Sequence, residues 1–217
     1  MIHYFIKNKN MGVSNLLYEK YLLIKEKHFS EDMEFLEIGD QDVIFGENRG
    51  RKMRDIEGPY YTKWESVDLH KREGVTIKDL SVEHTDEYLW DVISNFGTSE
   101  HVEPKKGHYN CWKNIHRWTK IGGYSIHEIP EIGSWKGHCR FYYDFDFFKN
   151  FEKIGYVIID LCQIEYENNG NLVFCLMKKV KKKSFFNQVE FDDMVKIDEG
   201  TTSLIVASEN NPKGLTF

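Results

Sequence analysis

Proline and cysteine are scarce in this chain, at four each in 217 residues. The cysteines, Cys111, Cys139, Cys162 and Cys175, form no Cys-x-x-Cys pair. That spacing excludes a disulfide framework of the small secreted kind and a recognisable Cys/His zinc set. Three of the four stand in apolar or aromatic company, as buried thiols in a reducing compartment do. No apolar run approaches the roughly eighteen residues of a membrane span, and the first residues carry no signal-peptide pattern. The expectation is a cytoplasmic protein, in the host cytoplasm if its source is viral. Net positive charge is missing too: the formal balance is −6, which argues against a broad nucleic-acid footprint. The one basic run, Lys178, Lys179 and Lys181 to Lys183, reads as a solvated strand end or loop.

What is present is a globular composition, 41% hydrophobic and 15% aromatic, in a length that suits one large domain. No internal repeat or Pro/Gly/Ser linker divides it. The spacing of Leu16, Leu17, Tyr21, Leu22 and Ile24 predicts an amphipathic leading helix over 11–27. Strands are expected at Glu34–Ile38, Trp64–Asp68, Val75–Ile77 and within Tyr88–Ser94. A helix follows over Tyr109–Thr119, stopped by Gly122-Gly123, and then a strand, Tyr124–Ile129. Asp144–Lys153 reads as a helix, and Tyr156–Tyr166 with Leu172–Met177 as a closing hairpin turned at Asn168–Gly170. Ser203–Ala207 is a further strand candidate. The alternation predicts an α/β domain with a mostly parallel sheet and a final antiparallel hairpin. The expected division is a helical segment 1–30, the α/β domain 31–183 and a C-terminal extension 184–217, loose at its end.

In an open α/β sheet the ligand lies beyond the carboxyl ends of the strands, where strand order reverses. Polar residues fall at four successive strand ends here: Glu37, Gly39 and Asp40, then Asp68, then Asp79-Leu80, then Asn95-Phe96. Gly39 permits close backbone approach. An acid after the second strand can accept from both ribose hydroxyls of an adenosyl ligand. Asp79 can accept from an adenine amino group, and Asn95 with its neighbours can flank an amino-acid portion.

The order Phe35-Leu-Glu-Ile-Gly39, Ser66-Val-Asp68-Leu, Asp91-Val-Ile-Ser94 with Glu100-His101-Val102, and Lys120-Ile-Gly-Gly123 resembles the motif series of class I S-adenosylmethionine-dependent methyltransferases. The resemblance covers about residues 30 to 180. It implies a Rossmann-like fold with a seven-stranded sheet, helices on both faces, and S-adenosylmethionine as cofactor. Within that superfamily, Asn95–Val102, Asn114-Ile-His116, His127-Glu-Ile-Pro130 and Gly133–His138 resemble viral or bacterial methyltransferases of surface glycans. This implies a sugar or glycan acceptor methylated on oxygen. Other small molecules or proteins stay open as acceptors, and so does a catalytically inactive scaffold that keeps the cofactor site.

One departure stands out: the first motif reads Gly39-Asp40-Gln41-Asp42-Val43 instead of Gly-x-Gly-x-Gly. Its two extra acids would repel a pyrophosphate, which disfavours a dinucleotide-binding oxidoreductase. The following stretch, Gly46–Lys63, is basic (Arg49, Arg51, Lys52, Arg54) and is either a lid over the site or a surface loop.

Transfer to a hydroxyl needs alignment and a base, and histidine titrates nearest neutrality. His138 and His127 rank ahead of His101 as that base; His108 is the fourth histidine of the region. Trp135, Tyr142 and Tyr143 are the expected walls for a sugar ring, although the dense aromatic run 141–148 also suits core packing. Glu100 beside His101 resembles methyltransferases that hold a divalent ion near the fourth strand. The carboxylate some of them carry three residues earlier is Gly97 here. The divalent ion is therefore the disfavoured option, and no metal ligands are assigned.

Overall fold

The computed structural model describes residues 12–86, 88–166 and 170–197. Helix α1 (Asn15–His28) starts where Ser14 caps it by accepting from the Leu17 amide at 3.1 Å. Lys25, Lys27 and His28 complement its carboxyl end. Its inner face, Leu17, Tyr21 and Ile24, repeats at helical spacing and is buried.

The strands follow as β1 (Glu34–Ile38), β2 (Lys63–Asp68), β3 (Val75–Ile77), β4 (Trp90–Phe96), β5 (Thr119–Pro130), β6 (Phe141–Tyr142), β7 (Tyr156–Tyr166), β8 (Gly170–Lys179) and β9 (Lys196–Ile197). Between them lie α2 (Met53–Glu57), α3 (Lys105–Trp118), α4 (Phe145–Asn150) and α5 (Gln188–Asp192). Seven strands form one sheet in the order β3-β2-β1-β4-β5-β8-β7. The pairs from β3 to β5 are parallel, and β8 runs antiparallel to both β5 and β7. A second, two-stranded sheet joins β6 to β9.

The central strands β1, β4 and β8 are covered on both faces, so they alternate between two apolar layers instead of between core and water, whereas the edge strands β3 and β7 keep side chains such as Ile77 and Val157 exposed. Along β1, Leu36 and Ile38 pack with α3 and α4 through Trp112, Phe147 and Phe148, whereas Phe35 packs on the other face with Leu17 and Tyr21 of α1. Phe35 stacks on Trp64 at 3.9 Å between ring centroids, which locks β1 to β2. Strand order reverses between β1 and β4, so the crevice outside their carboxyl ends is the ligand position for such a sheet.

Several expectations shift. Gly122-Gly123 does not stop α3, which ends at Trp118; both glycines lie inside β5, beside a register break between Trp90 and Val92. A Cβ at Gly123 would meet the Asp91 carbonyl at 2.9 Å, so the glycine marks close strand contact. Lys179, read as solvated, is buried and donates to the carbonyls of His116 (2.5 Å) and Thr119 (3.1 Å). It ties the end of α3 to the start of β5. The strand candidate Ser203–Ala207 and the turn at Asn168 lie outside the described residues. Among the described residues, no helix is long and apolar enough to cross a membrane.

Candidate active site

The carboxyl edge carries two neighbourhoods. The first, over β1 and β2, holds the residues expected to bind a cofactor. Gly39 leaves β1 at φ +84°. A Cβ there would collide with Thr98 and Gln41, so this glycine lets the exits of β1 and β4 close on each other. Thr98 completes the closure by donating to the Ile38 carbonyl at 2.9 Å. Glu37 is buried beneath, accepting from Ser66 (2.5 Å), the Gln41 amide (3.2 Å) and Trp64 (3.3 Å). Burial raises its carboxyl to about 7, against the pull of those donors.

Asp40 has a fully buried side chain that Arg54, Lys52 (3.1 Å) and Arg72 (3.4 Å) surround. Arg54 also donates to the Glu73 carbonyl at 2.7 Å. It therefore spans from the exit of β1 to the turn between β2 and β3. The basic stretch is thus neither a free lid nor a plain loop here: Arg54 of α2 and Lys52 just before it both reach Asp40. Asp68, half-buried at the end of β2, accepts from the His70 amide at 2.9 Å through Oδ1, and its Oδ2 has no partner among the described residues. Asp79 is exposed and accepts from the Ser81 amide at 2.9 Å, while its carbonyl faces His84.

Other expected ligand residues are turned inward. Leu80 and Phe96 are core. Asn95 is wholly buried, bonded to Ser99 through both ends of its amide and set 3.3 Å from His127. The side chains of Leu80, Asn95 and Phe96, all expected at the cofactor, are thus buried beneath the edge. A cavity of about 180 Å³ is lined by Leu36, Lys63, Val67, Lys78, Trp90 and Trp118, and contains none of the residues above.

The second neighbourhood lies over β4 and β5. A 3-10 turn, Ser99–His101, follows β4, and a loop at 131–140 follows β5. They bring Glu100, His101 and His138 together, with one potential ligand atom from each within 4.8 Å of the others. The His101 and His138 rings stand edge-on at 4.9 Å between centroids. Trp135, at φ +49°, packs its ring on His138 and on Tyr166. Tyr142 donates to the Trp135 carbonyl at 2.9 Å, so its hydroxyl braces this loop. Glu128, at the end of β5, accepts from Tyr166 at 2.9 Å, and Tyr166 bonds on to Ser14.

Electrostatically this corner is unusual. Glu100 is fully buried, and no other residue donates a hydrogen bond to either carboxyl oxygen. Burial raises it to about 8; its own backbone amide opposes the shift and nearby Glu128 adds to it. Burial likewise raises Glu128 to about 8. His101 is lowered to about 3, by burial and then by His138, which burial also lowers. All four groups are held toward their neutral forms.

His127 does not belong to this corner. It has no exposure, bonds to Ser125 at 2.6 Å and stacks on Trp112. Tyr143 is also sealed, within bonding distance of His108 (2.6 Å), Ser99 and Trp112. His127, expected as a base, and Tyr143, expected as a wall for the sugar, thus sit in a buried polar network under the edge. A histidine inside a strand of a two-sided sheet has nowhere to point but into a layer. Glu128, Tyr166 and Ser14 were missed by sequence reasoning. The available signal was a carboxylate inside the otherwise apolar end of β5.

The sheet order, the parallel half and the antiparallel hairpin define the Rossmann-like fold of the class I methyltransferases. The chain is similar in structure to the N-methyltransferase NodS of Bradyrhizobium japonicum WM9 in complex with S-adenosylhomocysteine, at 10% identity and TM-score 0.58, over 77% of this chain and 89% of that one. It is also similar to a SAM-dependent methyltransferase of Methanosarcina mazei, at 13% identity and TM-score 0.55, over 73% and 98%. A third likeness is to the 1,6-didemethyltoxoflavin-N1-methyltransferase of Burkholderia thailandensis with bound S-adenosylhomocysteine, at 14% identity and TM-score 0.53, over 73% and 76%. No protein-family model and no curated protein sequence matches the chain.

Proposed function

We propose that this protein is an S-adenosylmethionine-dependent methyltransferase whose acceptor is a hydroxyl of a sugar or glycan. The observation that carries the reading is the division of the carboxyl edge. A half-buried acid with an open oxygen, Asp68, ends β2, and a separate corner of neutral imidazoles and carboxyls, walled by Trp135, lies over β4 and β5. S-adenosylmethionine would supply a methyl group on a cationic sulfur. Asp68 would accept from its ribose hydroxyls, Asp79 would lie beside its base, and the backbone at Gly39 and Phe96 would line its amino-acid portion.

The acceptor is placed at the second corner. Trp135 would line the acceptor there, and His138 and His101 would assist the loss of the hydroxyl proton. In the transfer the acceptor oxygen forms a bond to the methyl carbon, the S–C electron pair returns to sulfur, and the hydroxyl proton leaves. The protein supplies alignment and assistance with that proton. Oxygen is favoured over nitrogen because β4 exits as Ser94-Asn95-Phe96-Gly97, without an Asn-Pro-Pro-Tyr type motif.

A second reading, an inactive scaffold of the same fold, is favoured by Asp40, whose charge is consumed by Lys52, Arg54 and Arg72 beside the cofactor crevice. The deciding experiment supplies labelled S-adenosylmethionine with panels of free sugars, nucleotide sugars, polysaccharides and amines, and reads the product by mass spectrometry. O-methylated sugar supports the proposal. N-methylated product overturns the acceptor class, and cofactor binding without turnover on any panel supports the scaffold.

A further inference from the structure

We propose that Glu100, His101 and His138 form a binding site for a divalent first-row transition-metal ion. Glu100 is completely buried with neither oxygen bonded by another residue; Nδ1 of His101 and Nε2 of His138 are also buried without partners. Buried polar atoms are nearly always hydrogen-bonded, so these orphans, clustered on three neighbouring side chains, need an explanation. The ligand atoms lie within 4.8 Å of one another, and Nε2 of His101 is 3.8 Å from Oε1 of Glu100. Bonds of about 2.0–2.2 Å to one ion require donors roughly 3–4 Å apart, so a small inward movement of three side chains closes the site.

The donor set selects the ion. One carboxylate and two neutral imidazoles suit Mn²⁺, Co²⁺ or Zn²⁺ better than Mg²⁺ or Ca²⁺, which prefer all-oxygen shells. Three protein ligands leave coordination positions open, the pattern of a catalytic site. The indole N–H of Trp135, a hydrogen-bond donor and not a metal ligand, is also buried without a partner beside the cluster. The Gly97 position that breaks the sequence pattern is compensated by His138, which arrives from the loop after β5. The role of the ion rests on the methyltransferase reading. An acceptor hydroxyl bound at an open position would be acidified, and its proton would pass to water instead of to a ligand.

The test strips the protein with EDTA, removes the chelator and titrates with CoCl₂, reading visible d–d absorption and calorimetric heat. One equivalent should bind saturably and develop the bands of an imidazole-ligated ion. Glu100→Gln and His138→Ala should each weaken binding by at least about tenfold, while His28→Ala, a histidine on α1, should not change it. Absence of saturable uptake overturns the site, as does equal affinity in wild type, Glu100→Gln and His138→Ala. S-adenosylhomocysteine is titrated into the same samples. Its binding without Co²⁺ uptake overturns the metal site alone. Co²⁺ uptake without its binding leaves the site standing and overturns the methyltransferase reading.

Discussion

Arg54 reaches across from α2 to form an ion pair with Asp40, an acid whose side chain is fully enclosed at the exit of β1. Lys52 and Arg72 add to the same carboxylate. The loop after β1 is thereby fixed by charge, where a glycine-rich loop would rely on backbone alone.

Removing the acid should therefore cost far more than removing one cation. Asp40→Ala strands three cations around an empty space and should lower stability by about 3 kcal/mol; Arg54→Ala leaves two partners and should cost about 1 kcal/mol. Denaturant unfolding of the two variants measures the ratio, and equal costs would show that the trio does not act on Asp40 jointly.

The buried titratable groups predict a stability maximum in weak acid. Glu37 and Glu128 titrate near 7 and 8 when folded, against 4.5 when unfolded. The stability they favour is full below pH 4.5 and lost as pH rises to about 8. His108 and His127 are lowered to about 3 and His116 to about 4, against 6.5 unfolded. Their contribution is full above pH 6.5 and lost as pH falls below it. The two slopes oppose each other between pH 4.5 and 6.5, so thermal unfolding in EDTA should peak there and fall on both sides. A midpoint that climbs from pH 6.5 to 8 would contradict the burial of the two carboxyls.

His127 and His138 should separate cleanly. His127→Ala removes a stacked, doubly bonded core side chain and should cost about 2–4 kcal/mol of stability. His138→Ala, in the loop after β5, should change stability by under about 1 kcal/mol and reduce methyl transfer by about a hundredfold or more. Unfolding curves and turnover assays of both variants check the split; loss of turnover with His127→Ala at full stability would reverse the assignment.

Lys179 offers a purely structural control. Its ammonium holds two carbonyls at the α3–β5 junction, and burial, with Lys182 second, lowers it to about 8. Lys179→Met leaves those carbonyls unpaired and should destabilise by about 1–3 kcal/mol, with S-adenosylhomocysteine binding retained in the folded fraction.

Much of the sheet was legible because parallel strands with both faces covered are written as compact apolar runs. Glu34–Ile38 falls where its run places it, the short edge strand Val75–Ile77 falls at its β-branched residues although it is largely exposed, and the β7–β8 hairpin follows its pattern. Short elements held by tertiary contacts were not legible. Helix α2 looks like a basic loop because its arginine, and the lysine that precedes it, serve Asp40, which is remote in pattern though near in space. Lys179 looks solvated because charge hides its two carbonyl partners. At the site, strand-end acids could be listed from position, but not sorted. Asp68 meets the edge and Asn95 is buried beneath it, a difference set by strand register and by the turn Thr98 makes over Gly39. The corner of Glu100, His101 and His138 joins two loops separated by a helix and a strand, so no local spacing announces it.

The central claim is that the crevice at the β1–β4 reversal binds S-adenosylmethionine. Calorimetric titration with S-adenosylmethionine and S-adenosylhomocysteine, on wild type and Asp68→Ala, tests it most directly. The account predicts binding of both to wild type, weakened in Asp68→Ala by about 1–3 kcal/mol, the cost of hydrogen bonds to a charged acceptor. No binding of either ligand to folded wild-type protein, or equal affinity in Asp68→Ala, would contradict it.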